Sequence, residues 1–561
     1  MTNTPPACPS DIRWDAPLER TSIATLLDRA AQRWPDASAI EFMGRSISYA
    51  ELDDETRRLA TGLRALGVGP GVHVGLYLPN TPHFVVAFFA VLRLGAVVVN
   101  YSPLDAERTL AHKIADSATT LMITLDLAAM LPLMQGLVHG ECGLRKLIVG
   151  SLGDHAADPA AVRGALERAA QLAPLNADDQ RYAALLANDG SAAAHVVADP
   201  ATELAVLQYT GGTTGSPKGA MLTHANLSVA CDQLWWTARG TPPLLVEGRE
   251  RVLGVLPLFH IYALTVNLLF GVRIGAQLVL HTRFEPEAAL RELAARRITV
   301  FPAVPTMFAA LVNHAQARHH DLTALKFCGS GGAPLPEQLD ADFRRLTHCP
   351  ILEGWGMTET AASGTFTPHS GGKTGSCGIA RPGVELRLLD LADATRAAAP
   401  DAPGELAIRG PNVMTGYWRQ PEATAAAFTA DGFFRTGDVA RIDDAGWVFI
   451  VDRCKDMLLV SGFNVYPRNI EEAVMQHPAV AEVIVIGMAD PYRGQAPKAF
   501  VVLKPDSPPL TLAGLQSFLQ RRVGRHEMPL ALELRASLPR TPVGKLSRKA
   551  LQDELAGRAA G

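Results

Sequence analysis

The stretch Tyr209-Thr-Gly-Gly-Thr-Thr-Gly-Ser-Pro-Lys-Gly219 constrains this chain more than any other. Ahead of it, Leu204 to Gln208 is a short apolar run that reads as a buried strand. After it, Ala220 to His224 leads toward a helix expected to begin near Asn226. Gly211, Gly212, Gly215 and Gly219 free the backbone to take up positive φ and to expose consecutive N–H groups. Thr210, Thr213, Thr214 and Ser216 add hydroxyls, and Lys218 adds one positive charge. A loop of this composition suits an anion with several oxygens, a polyphosphate above all. The plainer alternative is a flexible linker, but Pro217-Lys218 and the apolar flanks are unlike one. The Walker A pattern G-x-x-x-x-G-K-[ST] fails on both sides of its lysine, since Pro217 precedes Lys218 and Gly219 follows it.

A chain of 561 residues is too long for a single core and implies several lobes. With 48% hydrophobic and 19% charged residues, its composition is that of an ordinary globular protein. A net charge of −4, without long basic runs, argues against nucleic acid as a partner. The seven cysteines are scattered and include no C-x-x-C, which suggests reduced thiols in a cytoplasm rather than a zinc site or a disulfide framework. The N-terminus lacks the basic and apolar regions of a signal peptide. His83 to Tyr101 is the most membrane-like stretch, but Arg93 and Gly95 interrupt it, so it parses as a buried helix and a strand. Peripheral contact with a membrane stays open.

Along the chain, Ser48-Tyr-Ala-Glu51 is a capping box opening a helix with Leu52, Leu59, Leu63 and Leu66 on its apolar face. Val72 to Leu78 reads as a strand, and helix and strand signals then alternate, as in parallel sheet covered by helices. Residues 152–200 read as surface helices and loops. A compact unit closes the chain, with strands near Val480–Ile486 and Ala499–Leu503, a helix from about Leu512 to Val523, and a polar tail. The domain boundary is expected close to Lys455.

Several further segments carry chemistry. Leu256-Pro-Leu-Phe-His260-Ile-Tyr262 follows an apolar run, and by itself His260 reads as a core histidine. Phe301 to Phe308, which contains Val304, reads as a strand end turning into a helix. Leu325 to Leu335 pairs a strand with a turn, Gly331-Gly332-Ala333-Pro334, whose backbone can approach a flat ring. In Glu353-Gly354-Trp355-Gly356-Met357-Thr358-Glu359 the flanking glycines leave the Trp355 face open for stacking. There Thr358 can reach a phosphate, and Glu359 offers a hard oxygen ligand for Mg²⁺. Phe434-Arg-Thr-Gly-Asp438 sets a carboxylate after a turn, suited to accept from two ribose hydroxyls. Lys545, in Leu538-Pro-Arg-Thr-Pro-Val-Gly-Lys545, reads in isolation as a solvated charge.

In this order the segments resemble the adenylate-forming superfamily of acyl-CoA synthetases, luciferases and peptide-synthetase adenylation domains, over roughly residues 20–555. The resemblance implies an α/β fold. A large N-terminal domain, 1–454, would have helix-covered, mostly parallel sheets, and a small mobile α+β domain, 455–561, would carry the catalytic lysine. It implies that ATP or AMP is bound by Thr210, Gly211, Gly212, Thr213, Thr214, Gly215, Ser216 and Lys218. The same ligand would meet Gly331, Gly332, Ala333, Pro334, Glu353, Gly354, Trp355, Gly356, Met357 and Thr358, together with Asp438, Arg453 and Lys545. Lys545, Glu359, Thr210 and His260 would be catalytic, with Glu359 and Thr210 serving the metal. His260, Tyr262, Val304 and Gly331 would line the acyl pocket. Ser461, Gly462 and Phe463 would border the CoA channel, and Lys455 would be the hinge. Gly404 to Gly410 and Gly416-Tyr-Trp418 match supporting motifs and read as structural. Cys454 and Leu459 depart from the pattern, standing where many relatives carry basic residues.

The implied reaction is two-step: a carboxylic acid and ATP give acyl-AMP and pyrophosphate, and CoA then displaces AMP. The expected co-substrates and cofactor are ATP, CoA and Mg²⁺. The His260 segment has no acidic residue, so an α-amino acid would bury an unpaired ammonium there. The resemblance points most to medium- to long-chain fatty acids. Dicarboxylate- or aryl-CoA ligases, and a ligase serving a carrier protein, remain alternatives. From other classes stand a P-loop phosphohydrolase, which Gly219 disfavours, and an inactive acyl-nucleotide binder. A homodimer is one assembly compatible with the resemblance.

Overall fold

The computed structural model describes residues 4–210, 217–239, 243–461, 463–491, 493–541 and 545–559. Two compact units are distinguished: Met1–Glu385 with Arg409–Ala426, and Leu386–Ile408 with Ala427–Gly561. Lys455 falls within the second.

In the first unit the central sheet of the described residues has seven strands. Their order is Gln180–Arg181, Lys146–Gly150, Leu121–Leu125, His73–Leu76, Val97–Asn100, Leu204–Tyr209 and Gly219–Thr223. All neighbours are parallel except the last pair, an antiparallel hairpin with Tyr209 opposite Gly219. Gly219–Thr223, which the sequence shows only as a lead-in to a helix, is therefore an edge strand. The helix that follows, His224–Thr237, starts two residues ahead of expectation, capped by Thr223 and Asn226. A second sheet runs Arg251–Gly254, Gln277–Leu280, Ser38–Phe42 and Arg45–Ser48. Isolated parallel bridges Val252↔Val300, Val300↔Phe327 and Ala303↔Ser330 connect it to the short pair Cys328–Ser330 and Ile351–Glu353.

Local chemistry accounts for these elements. Both halves of the Ser48/Glu51 capping box form, opening the helix Tyr49–Ala65. The helix Pro82–Arg93 is apolar all round and every residue of it is buried, as expected of a central helix. Its one cation, Arg93, is held by Asp28 and Asp53.

The second unit contains a sheet in the order Glu385–Leu389, Gly404–Arg409, Phe434–Ile442 and Val448–Arg453. A second sheet pairs Gly494–Leu503 with Val480–Asp490, Leu458–Val460 and, in parallel, Ala531–Leu534. Pro467–Met475 and Leu512–Leu519 supply apolar side chains to the same core as that sheet. Residues Arg548–Ala559, read from sequence as a polar tail, form a helix.

Candidate functional site

In the first unit the base of the glycine loop is closed by backbone pairing: the Thr210 N–H donates to the Lys218 carbonyl at 2.9 Å. Gly211, Gly212, Thr213, Thr214, Gly215 and Ser216 lie outside the described residues. Lys218 Nζ stands 4.9 Å from the centre of the Tyr417 ring, and the Tyr417 hydroxyl donates to Glu359 Oε1 at 2.9 Å. Glu359 is buried on the short 3₁₀ turn Thr358–Thr360, and its carbonyl accepts from Met414 N–H. The backbone around Tyr417 lies along the edge strand, with Met221 N–H donating to the Gly416 carbonyl and Trp418 N–H to the Gly219 carbonyl. Sequence reasoning treated Gly416-Tyr-Trp418 as structural. The structure brings it to the one carboxylate singled out for metal.

The aromatic segment is held from below. Trp355 N–H donates to Thr365 Oγ1 at 3.0 Å, and a Cβ at Gly364 would meet the indole at 2.5 Å, so Gly364 lies flush against that ring. Met357 N–H donates to Thr360 Oγ1, and Gly354 N–H to the Ser330 carbonyl. Glu353 Oε1 accepts from Leu335 N–H at 3.0 Å, pinning the exposed turn Gly332-Ala333-Pro334 against the strand that carries Glu353. Gly332 sits at φ +82°, where a side chain would be strained.

His260 Nδ1 accepts from the Tyr262 N–H at 3.2 Å, so a neutral ring carries its proton on Nε2. The Tyr262 hydroxyl donates to the Gly329 carbonyl at 3.0 Å, and a Cβ at Gly331 would touch its ring at 3.3 Å. Burial pushes the Tyr262 phenol pKa up. Buried Val304 follows Ala303, whose N–H donates to the same Gly329 carbonyl. Tyr262 and the Ala303 backbone thus meet at Gly329, with Gly331 against the Tyr262 ring, His260 bonded to the Tyr262 N–H and Val304 next to Ala303 in the chain. Gln208 Nε2 donates to the Phe259 carbonyl at 2.9 Å, so the strand feeding the glycine loop also fixes the histidine segment. Asn80 makes three hydrogen bonds to Gly254, Leu256 and Leu258. No sequence signal marked it.

In the second unit, buried Asp438 accepts from Arg453 Nε at 2.6 Å across two antiparallel strands. Lys545 shares their field: burial lowers its pKa, Arg453 lowers it further, and Asp438 opposes both. Its backbone is closed on Thr541, whose N–H donates to the Lys545 carbonyl at 2.7 Å. Three residues on, the Arg548 guanidinium engages Glu471, Asp452 and Asp456. The two aspartates flank Lys455, whose pKa is lowered to about 8 by burial and by Arg453. Ser461 is exposed at φ +51°, and Phe463 begins the strand Phe463–Val465. Gly462 lies outside the described residues.

Among the described residues no cluster of three His, Cys, Asp or Glu could hold a metal, and no helix is long and apolar enough to cross a membrane. Each unit thus sets a buried carboxylate beside a positively charged side chain, Glu359 with Lys218 across the Tyr417 ring in the first and Asp438 with Arg453 in the second. The AMP-binding enzyme model matches residues 27–418 and the AMP-binding enzyme C-terminal domain model residues 469–545, and the chain belongs to this family. A long-chain-fatty-acid–CoA ligase of Bacillus subtilis is 34% identical over 97% of both chains. One of Salmonella typhimurium is 37% identical over 98% of both. The solved O-succinylbenzoate coenzyme A synthetase of Bacillus subtilis, in complex with ATP and magnesium ion, superposes with a TM-score of 0.77. It is 26% identical, over 94% of this chain and 99% of that one. The chain is an AMP-forming acid–thiol ligase that carries out ATP-dependent acyl-CoA synthesis from an acid, ATP and CoA.

Proposed function

We propose that the acid activated is a medium- to long-chain fatty acid, and that the residues above divide the labour of its adenylation and thioesterification. The names of the full-length relatives support the acid. The geometric observation that carries the reading is the uncharged wall of Tyr262, Val304 and Gly331 beside His260. A carboxylate on an apolar body can lie there without burying a second, unpaired charge.

Adenylation drives two anions together, so it needs alignment and charge neutralisation. Lys218 and the glycine loop would hold the outer phosphates, Trp355 would stack on adenine, and Thr358 would reach a phosphate. Asp438 with Arg453 would hold the ribose, while Lys545 would bridge the carboxylate and the α-phosphate. Each such contact is typically worth roughly 3 kcal/mol of barrier, on the order of a hundredfold in rate. Glu359 fits a magnesium ion that takes its other ligands from phosphates and water: it is a single buried carboxylate oriented by Tyr417. The ion would neutralise phosphate oxygens. For the second step we assign a rotation of residues 455–561 about Lys455, bringing Ser461, Gly462 and Phe463 to the thiol channel. A cytoplasmic location and a homodimer accompany this reading.

Pyrophosphate release measured over a panel of acids, with and without CoA, tests it. Turnover should be best with saturated acids of medium to long chain, and AMP should accumulate only when CoA is present in turnover amounts. A protein that never converts ATP to AMP with any acid would overturn the reading.

A further inference from the structure

Three cations are buried among the described residues: Arg93, Lys113 and Arg381. Arg93 is paired with Asp28 and Asp53, and Lys113 with Asp105. Arg381 has no carboxylate. It is 8% exposed, its Nη1 donates to Thr237 Oγ1 at 2.7 Å and weakly to the Gln233 carbonyl at 3.5 Å, and its buried Nε has no partner at all. All of its hydrogen-bond acceptors are neutral. A buried charge of this kind is ordinarily paired, because desolvation is not otherwise compensated. A guanidinium presents five donors in a planar fork suited to a carboxylate. Here that fork is only partly used.

Arg381 also touches residues that neighbour the candidate site. Its N–H donates to the carbonyl of Gly364, the residue lying flush against Trp355. Its guanidinium carbon stands 5.3 Å from the centre of the Phe366 ring, whose strand pairs with Ile379–Ala380. Tyr262, the aromatic residue over Gly329–Gly331, is its electrostatic neighbour, and each perturbs the titration of the other. Burial lowers the Arg381 pKa to about 9, which still leaves it cationic at pH 7.

We propose that Arg381 is a specificity-determining residue whose missing counter-anion is supplied by the substrate: the preferred acid carries a second carboxylate at the far end of its chain. This rests on the reading of His260 and Tyr262 as the acyl wall, and it narrows the medium- to long-chain fatty acid of that reading to one that carries a terminal carboxylate on the same apolar body. An apolar body still faces Tyr262 and Val304. One carboxylate is adenylated, and the other meets the guanidinium. A fixed cation also implies a sharp optimum of chain length, where an apolar tunnel would give a gradual one.

The test compares kcat/KM for pyrophosphate release with octanoate and octanedioate, and with decanoate and decanedioate, in the full chain and in Arg381→Met and Arg381→Lys. The wild type should favour at least one diacid over its matched monoacid by about tenfold or more, as sites built for a polar group do. Arg381→Met should collapse that ratio chiefly through KM of the diacid, and Arg381→Lys should retain part of it. A ratio unchanged in Arg381→Met, or a wild type that favours both monoacids, overturns the proposal. Should Arg381→Met fail to fold, the wild-type ratio and Arg381→Lys decide alone. Absence of pyrophosphate with every acid would instead refute the wider reading of the site.

Discussion

The Tyr417 hydroxyl donates to Glu359 Oε1 at 2.9 Å, while the ammonium of Lys218 stands 4.9 Å from the centre of the same tyrosine ring. One aromatic side chain thus contacts both the carboxylate proposed for the metal and the lysine that closes the glycine loop. The contact is possible because residues 415–418 lie along the strand Gly219–Thr223.

Tyr417→Phe leaves that buried carboxylate one donor short, a loss of about 1–3 kcal/mol for a group in this setting. Glu359 would then be oriented less firmly, and Lys218 would keep its ring partner. The expected outcome is a pyrophosphate-release rate lowered by roughly tenfold or more, with a raised requirement for magnesium. Titration of the rate with magnesium at fixed ATP checks this. Superimposable curves for variant and wild type would remove the assigned role of Tyr417.

Lys545→Ala should abolish acyl-AMP formation by about a hundredfold or more, yet spare thioester formation from pre-made acyl-AMP. Equal loss in both half-reactions would show the lysine to be misassigned. Its titration adds a second readout. Burial, and then Arg453, lower the pKa of Lys545, and only the protonated form can bridge two anions. Adenylation should therefore fail on the alkaline side at a pH below the ordinary lysine range, whereas thioesterification of pre-made acyl-AMP should not follow that limb.

Much of this arrangement was legible in the sequence where the signal is local. The Ser48/Glu51 capping box, the apolar run into Tyr209 and the glycines around Trp355 each declare their structure within a few residues. What escaped depends on partners distant in sequence. Gly219–Thr223 is a strand because Leu204–Tyr209 and residues 415–418 pair on either side of it, which its own residues do not announce. Tyr417 lies 58 positions from Glu359, and Asn80 more than 170 from the carbonyls it binds, so no spacing rule connects them. Arg381 looked like any arginine before a proline. Only burial without a carboxylate distinguishes it.

Away from the candidate site, two buried histidines tie three segments of the first unit together, those around Glu55, His83 and Asp154-His155. His83 Nε2 meets Asp154 Oδ2 at 3.1 Å, His155 Nε2 meets Glu55 Oε1 at 2.6 Å, and the two rings stand edge to face 4.4 Å apart. Burial, and then His155, lower the pKa of His83 below its ordinary 6.5. The unfolded chain therefore binds a proton near pH 6.5 that the folded one resists, so stability falls as pH drops from about 7 through that value. Urea unfolding at pH 7.5 and pH 5.5 should show a lower midpoint at the acid end. His83→Gln should be less stable at pH 7.5 and should lose part of that pH dependence. A wild-type midpoint that rises on acidification would contradict the assignment.

The last prediction concerns the hinge. Arg548 engages Asp452 and Asp456, the residues on either side of the Arg453–Lys455 segment, and it begins the helix directly after the Lys545 loop. In this arrangement Lys545 lies in the field of Asp438 and Arg453. In the proposed rotation Lys545 would leave for the second half-reaction, and the backbone change would fall at Lys455. Proline at 455 holds φ near −65° and removes the N–H, restricting that change. Lys455→Pro should therefore slow CoA-dependent release of AMP by about tenfold or more while pyrophosphate release is less affected. Rapid-mixing measurement of each half-reaction separates the two, and equal rates before and after substitution would place the pivot elsewhere.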